Sequence, residues 1–539
     1  MGVPQAVSFL DGATYPGRMR AFPIALAVVV LLAGCSAPAS PGEEPASADQ
    51  PITGTTPPTE AVSTTGTSRD GGDGTEGPTV ETPRPDPDED VEGWEGGYWY
   101  NESLSVTVED GLNESELDAV VARAMARVEH LRAVEFREDV EVRVISRAAY
   151  RDGTGGRGGD GDGAGDRTFE AVRYRALFLV GDGANATERQ RDTRNESVLG
   201  YYDVNEDRIV VVSDATSPTL DEVTLAQELT HAYQFRNVRL RVPRDPTDDE
   251  VRALVALIEG DANLVDRLYE RQCEGPWECV RPSTDDGDAA GDGNDGADGA
   301  DGADGTPSNG SAVHMGLYLL QFFPYAEGEE LVRETRARGG WSAVMARYED
   351  PPRSSEQVIH PEKIGRDEPE DVAVPDLAED PWRRVRRSDG GSTATIGEAG
   401  IATMFMYTAY DDRPGAVVPR SRFLNVEDGR VNATDPLDYA INYSAGWAGD
   451  ALAAYERPNG STGYVWRTEW DDGREAREFA DGYRALLSHR GGADRGSHWR
   501  LDGDFAGAYA VSVEGSTVTI VHAPSAAALD ELWPDATAS

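Results

Sequence analysis

The sequence predicts an α+β protein with two folded parts, and three observations carry that prediction. Apolar residues recur at helical spacing through "ESELDAVVARAMARVEHLRAV" (114–134). Apolar and polar residues alternate in "VEVRVIS" (140–146), the mark of a strand. A second set of helix and strand patterns follows an acidic, Pro-rich break around residues 367–381.

In chain order, "MRAFPIALAVVVLLAGCS" (19–36) comes first. A basic start, a short apolar run and a small-residue site read as an export signal, with Met19 a better start than Met1. The run is too short to span a bilayer comfortably. "LAGC" ends on Cys35, the expected lipidation position. No twin-arginine pair precedes it, so the export route is open. Residues 1–34 are therefore expected to be removed. Residues 35–92, rich in Pro, Thr, Ser, Gly and acids, read as a disordered tether.

A first folded part is expected over 93–366. After the helix and strand named above, "YRALFLVG" (174–181) reads as a strand. "LGYYDVNEDRIVVVSD" (199–214) reads as a hairpin turning near Asn205–Asp207. "SPTLDEVTLAQELTHAYQFRN" (217–237) and "DPTDDEVRALVALIEGDANLVDRLYERQ" (245–272) read as long helices, the second capped near Thr247. A third helical region runs from Ala312 to Tyr348. Two insertions, 152–166 and 284–310, are Gly- and Asp-rich loops. Neither carries the apolar position of a calcium-binding β-roll, and an EF-hand loop starting at Asp160 would place Ala171 at its twelfth position. The second part, 382–535, shows helices at 397–410 and 474–489 and strands at 463–470, 509–513 and 517–523.

The chain has 539 residues and a net charge of −48, with Lys363 its single lysine. Acid spread along the whole length fits a surface kept hydrated in concentrated salt, and it argues against nucleic acid as a partner. Cys273 and Cys279, six positions apart in an exported chain, are expected to form a disulfide. Eight sequons permit glycosylation: Asn101, Asn113, Asn185, Asn195, Asn309, Asn432, Asn442 and Asn459.

One stretch carries chemistry. In "TLAQELTHAYQFRN" (224–237), Glu228 and His231 stand where a zinc-peptidase helix has its general base and second ligand. The first ligand of such an H-E-x-x-H helix is replaced by Gln227. Glu259, on the next helix, is the candidate third ligand. Three such ligands leave one coordination position for a water that the metal acidifies, and Glu228 would take its proton. No G-x-S-x-G, Walker loop or dinucleotide fingerprint competes with this site.

These residues resemble the gluzincin branch of zinc metallopeptidases, in the form found among exported surface proteins of halophilic archaea and some bacteria. "LAQELTHAYQ" resembles that group's "HELTHALQ" helix, and "LIEGDAN" (257–263) its "EGDA" helix. "PPRSSEQVIHPEKI" (351–364) resembles a "PPxSTEQILHPEKY" stretch. "SAGWAGDALAAYE" (444–456) and residues 463–483 resemble its appended C-terminal region. The resemblance implies a zincin-like domain, with His231 and Glu259 as metal positions, Glu228 as the base position and Gln227 as the departure. An amide oxygen is a poor zinc partner beside imidazole. Two outcomes stay open. In one, the site is a relic in which Gln227, Glu228 and His231 hydrogen-bond one another in a water-filled cleft. In the other, a weakened zinc site borrows a ligand from His360 or His314. His130, His489, His498 and His522 are expected on the surface or in packing.

The expected function is a lipid-anchored, glycosylatable protein on the extracellular face of the cell membrane. Its degenerate peptidase-like cleft would bind a peptide or an envelope partner. An active metallopeptidase with altered ligands and a structural envelope component remain the alternatives.

Overall fold

The computed structural model describes residues 86–534 apart from 88, 107–110, 151–162, 182–199, 214–219, 282–313, 428 and 433–434, together with 536–537. Cys35, the export segment, residues 35–85 of the tether, the 284–310 insertion, Asn185, Asn195 and Asn309 lie outside the described residues.

The chain is α+β. Its first layer is helix α1, Glu114–Arg132. Asn113 starts it by accepting from the Glu116 N–H, while the Glu116 carboxylate accepts from the Asn113 N–H. A short hairpin, β1 (Trp94–Glu95) and β2 (Tyr98–Trp99), lies against this helix. Three strands follow: β3 (Glu141–Ile145), β4 (Gly200–Asp203) and β5 (Arg208–Val212). Their order is β3-β5-β4, with β3 parallel and β4 antiparallel to β5. The hairpin read at 199–214 is β4–β5, and Asp207 takes the positive φ its turn requires. Ile209 and Val211 on this sheet, Val120 and Val128 on α1 and Leu225 and Leu229 on the next helix build one core.

The stretch 174–181 is not a strand. Helix α2, Ala164–Ala176, uses its first residues, and Leu177–Val180 form a turn. The first turn of α2 also takes in the end of the 152–166 insertion. A continuous apolar run is ambiguous between strand and buried helix end. Here Phe178 has φ 54 and packs on Tyr483, Phe505 and Tyr509, so tertiary burial decides.

Helices α3 (Glu222–Asn237), α4 (Asp248–Cys273) and α5 (Met315–Glu349) form the middle of the chain. Thr247 and Glu250 make a capping box at the start of α4. Gly260 on α4 and Gly328 on α5 touch backbone to backbone, so a Cβ on either would overlap the other helix. Cys273 and Cys279 are disulfide-bonded, with Cα atoms 5.5 Å apart. The closed loop is short, which limits its stabilisation to about 2 kcal/mol.

After the short α6 (Ser355–Ile359), the C-terminal part is a seven-stranded sheet of order β11-β12-β13-β14-β10-β9-β6. These strands are β6 (Arg383–Arg384), β9 (Trp447–Glu456), β10 (Thr462–Trp470), β11 (Ala493–Asp494), β12 (Trp499–Leu501), β13 (Gly507–Glu514) and β14 (Thr517–Ala523). A separate two-residue pair, β7 (Val426–Glu427) and β8 (Arg430–Val431), decorates a loop. Successive residues of β9 alternate between two clusters. Leu452 and Ala454 face α7 (Gly397–Met406) and α8 (Gly473–His489), while Ala451, Ala453 and Tyr455 face α9 (Ala526–Leu532). The first of these clusters also takes in Phe169 and Val172 of α2 and Leu319 and Phe323 of α5, so both parts of the chain share it.

The β1 hairpin is held by carboxyls. Glu129 accepts from the Phe136 N–H at 2.7 Å and the Gly93 N–H at 2.8 Å, and Glu95 sits against it. Burial pushes both carboxyls well above their ordinary range; Glu95 raises Glu129 further, while the hydrogen bond from Glu129 partly offsets the rise at Glu95. Asp90, Glu135 and Asp139 push Glu95 up as well. The folded state therefore holds protons that the unfolded chain releases above about pH 4.5, so stability falls as pH rises. The expected result is a melting temperature that declines from about pH 5 towards pH 9, with a flatter profile in Glu95→Gln. Parallel profiles for the two proteins would show that the pair carries no linkage.

Candidate functional site

Helix α3 carries the site because nearly all of it is interior. Asp221 caps it by accepting from the Val223 N–H, and Leu225, Ala226, Leu229 and Ala232 pack into the core. Its chemistry-bearing residues are buried with them: Gln227 3 %, Glu228 1 % and His231 0 % exposed. Glu259, on α4, is 1 % exposed. The Gly260–Gly328 contact beside it presses α5 onto α4 and accounts for the glycine in "EGDA".

The structure brings His231 and Glu259 together. His231 Nε2 lies 3.5 Å from Glu259 Oε2, at ion-pair range, and neither atom has a hydrogen-bond partner among the described residues. The other ring nitrogen, Nδ1, meets Gln234 Oε1 at 2.8 Å. Gln234 in turn donates to the Ile258 carbonyl at 3.0 Å and to Tyr348 Oη at 2.8 Å. Tyr348 donates to Asp261 at 2.8 Å, and Arg132 closes the chain on Asp261 with bonds of 2.8 and 3.0 Å. A buried relay thus fixes the ring plane of His231, as an outer shell does around a metal-binding histidine.

Glu228 is the unusual member. Neither carboxylate oxygen has a hydrogen-bond partner among the described residues. Burial pushes its pKa up to about 7; His231 opposes this and Glu259 adds to it. Burial works against a charged His231, but the Glu259 carboxylate outweighs it and lifts the imidazole to about 9. The raised Glu228 carboxyl and the raised His231 imidazole both favour holding a proton near neutral pH.

Gln227 does not join them. Its amide nitrogen donates to Asn263 Oδ1 at 3.1 Å. The expected mutual hydrogen bonds among Gln227, Glu228 and His231 are not formed: each side chain has a different neighbour or none. His360 and His314 lie elsewhere. His360 Nε2 is 3.4 Å from Glu398 on α7, and His314 caps α5 while facing Tyr407. Among the described residues, no third His, Cys, Asp or Glu completes a ligand group around His231 and Glu259. The residues present supply two of the three ligands a catalytic zinc needs.

Two of the remaining histidines pack on aromatic rings, while His489 is held by Asp411 and His498 by Ser497. His130 stacks on Tyr100 at 3.8 Å, and His522 is buried between Tyr464 and Tyr509, where burial drives its pKa down to about 3.

Among the described residues, one group of three acids does meet the geometry for a cation: Glu356, Asp367 and Asp471. The cation there is Lys363. Its ammonium lies 2.6 Å from Glu356, 2.9 Å from Asp367 and 3.3 Å from Asp471. A compact ammonium has three donors for three carboxylates, whereas a planar guanidinium does not fit that arrangement. This explains lysine at 363 in a chain that otherwise uses arginine. Lys363→Arg is expected to lose about 2 kcal/mol although charge is kept. Lys363→Met should melt at higher temperature when calcium is added, a shift that wild type lacks. Equal melting of all three proteins, with or without calcium, would show the lysine to be incidental.

The sequence signal for this cage was the lone lysine itself. Residues 383–533 match the model of a domain of unknown function, DUF8575. That span covers the seven-stranded sheet with α7 and α8, and it excludes α3 and α4. No curated protein and no solved structure matches the chain.

Proposed function

We propose that this chain is a surface lipoprotein built on a zinc-metallopeptidase-like core that binds a peptide or envelope partner without hydrolysing it. The observation that carries the loss of catalysis is the position of Gln227, whose amide is spent on Asn263 one turn before His231. Without a third ligand, Glu228 has no acidified water to deprotonate, and its burial favours the neutral acid near pH 7. The zincin-like assignment rests on "QELTH" and "EGDA" and gains support from the meeting of His231 with Glu259. Export and anchoring at Cys35 rest on the sequence of residues 19–36.

A second reading, an active peptidase with an altered ligand set, draws on a different observation. His231 Nε2, Glu259 Oε2 and both Glu228 oxygens are buried polar atoms without hydrogen-bond partners. Buried polar atoms are normally satisfied, so such a cluster suits a metal ion or ordered water. Metal analysis of the purified protein separates the two readings. The proposal expects substoichiometric zinc and no peptide hydrolysis. Stoichiometric zinc that His231→Ala or Glu259→Ala releases, accompanied by peptide cleavage, would establish the second reading instead.

A further inference from the structure

The Cys273–Cys279 disulfide closes too short a loop to be much of a staple, and its two ends sit in opposite electrostatic settings. Cys273 is the last residue of α4, where the helix dipole places partial negative charge, and Glu270 and Glu274 lie on either side of it in sequence. Cys279 lies against a guanidinium instead, with Arg127 Nη1 3.5 Å from its sulfur. That guanidinium belongs to a buried hub with more positive charge than negative. Arg123 and Arg127 share the one carboxylate of Glu222, and Tyr269 adds a hydroxyl donor but no charge. Burial holds the Arg123 guanidinium below its ordinary range; Glu222 opposes this and Arg127 adds to it. Asp221, next to Glu222, is offset by Arg281, and Glu278, next to Cys279, is exposed to water that weakens its field. The hub therefore has a use for one more negative charge, and the Cys279 sulfur is already in contact with it.

The loop does not need the S–S bond to stay docked. The Val280 N–H donates to the Glu222 carboxylate at 2.7 Å, and the Val280 carbonyl accepts from the Glu222 N–H at 3.0 Å. The Glu278 carbonyl accepts from Arg127 at 3.2 Å, and the Trp277 N–H donates to the Gln272 carbonyl at 2.9 Å. The Trp277 ring packs edge-on against Tyr269 at 5.2 Å and lies under the Arg127 guanidinium at 4.6 Å. Cutting the S–S bond leaves all of these contacts in place, with Cys279 still beside Arg127.

We propose that Cys273–Cys279 is an exchange site for an external thiol, which attacks the Cys273 sulfur and expels Cys279 as a thiolate held by Arg127. The incoming thiolate supplies the electron pair of the new S–S bond to Cys273 and is oxidised. The pair of the old S–S bond departs on the Cys279 sulfur, which is reduced. That sulfur takes no proton, because the guanidinium meets its charge. The product is a mixed disulfide at Cys273. The direction follows from the two settings: the sulfur whose thiol is the more acidic leaves faster, and a neighbouring guanidinium acidifies Cys279 while a helix C-terminus does the reverse to Cys273. None of this depends on whether His231 and Glu259 hold a metal.

The test uses the full mature chain with its disulfide formed, and glutathione as the thiol. Exchange is run at about pH 8, where a fraction of the glutathione is thiolate, and stopped with acid. Free thiols are then capped with N-ethylmaleimide, and peptide mass spectrometry locates both adducts. Glutathione should be found on Cys273 and maleimide on Cys279, several-fold more often than the reverse. Circular dichroism should be unchanged by the exchange. A second measurement uses Cys273→Ser and Cys279→Ser, each with one free thiol, alkylated by iodoacetamide across a pH series. The midpoint for Cys279 should lie at least about one pH unit below that for Cys273, as a cation in contact with one thiolate and not the other requires. Glutathione on Cys279, an equal split, or no exchange in the wild-type protein would each overturn the proposal. So would coincident alkylation profiles, or loss of the folded spectrum during exchange, since the thiol would then be reacting with an unfolded chain. If either serine variant does not fold, the adduct map of the wild-type protein still decides.

Discussion

Gln227→Ala leaves zinc affinity where it was, and Gln227→His raises it by more than about a hundredfold, beyond the range that outer-shell changes produce. Both outcomes follow from the geometry of α3. Position 227 lies one helical turn before His231, on the same face. His231 and Glu259 already meet, with Nε2 and Oε2 uncommitted. The Gln234–Tyr348–Asp261–Arg132 relay already holds the imidazole plane. A neutral imidazole at 227 releases Asn263 and supplies the third nitrogen or oxygen donor of a tetrahedral site with one water. Zinc must still displace the proton that Glu259 stabilises on His231, so affinity should climb steeply as pH rises towards about 9. Isothermal titration of zinc into wild type and both variants reads this directly. Equal affinity in a folded Gln227→His protein would mean that the α3 face no longer points at Glu259, and the peptidase-like assignment would lose its main support.

The largest stability change should come from Glu222, the first residue of α3. It is fully buried and accepts from Arg123 Nη2 at 2.7 Å, Arg127 Nη1 at 2.7 Å, Tyr269 Oη at 2.6 Å and the Val280 N–H at 2.7 Å. Arg127 also spans the Trp277 ring at 4.6 Å and bonds the Glu278 carbonyl in the disulfide loop. Glu222→Gln removes the one charge facing two guanidiniums that are each 1 % exposed. Stranding buried charges in this way costs about 3–5 kcal/mol. Denaturant unfolding should show that loss, while Arg338→Gln, whose ion pair with Glu334 faces solvent, should stay within about 0.5 kcal/mol. A loss below ~1 kcal/mol for Glu222→Gln would mean that water reaches the two arginines.

The sequence made some of this visible and hid the rest for physical reasons. The helix motif placed Glu228 and His231 on one helix face, and the cap at Thr247 announced its helix through local hydrogen bonds. Local chemistry of that kind is written in neighbouring residues. Glu222 as a hub was not legible, because its arginines lie 95 and 99 positions away. Nor was the Gln227–Asn263 bond, which depends on the register of α4 against α3. The run at 174–181 misled because full burial erases periodicity, and α2 was hidden behind a glycine-rich insertion. β9 is rich in alanine, a poor strand former, and its alternation is invisible because both of its faces are buried.

The cluster shared by α2, α5 and the seven-stranded sheet sets an order of events during synthesis. Arg490 bonds the Phe178 carbonyl at 2.9 Å across 312 positions, and Arg175 reaches Thr462 across 287. Phe178 itself rests on Tyr483, Phe505 and Tyr509. The turn after α2 therefore has nothing to close on until the last strands have been made. At ~5–20 residues per second, that interval is roughly 15–60 s. Throughout it the shared cluster stays open, although the core of α1, α3 and the three-stranded sheet already has all its members.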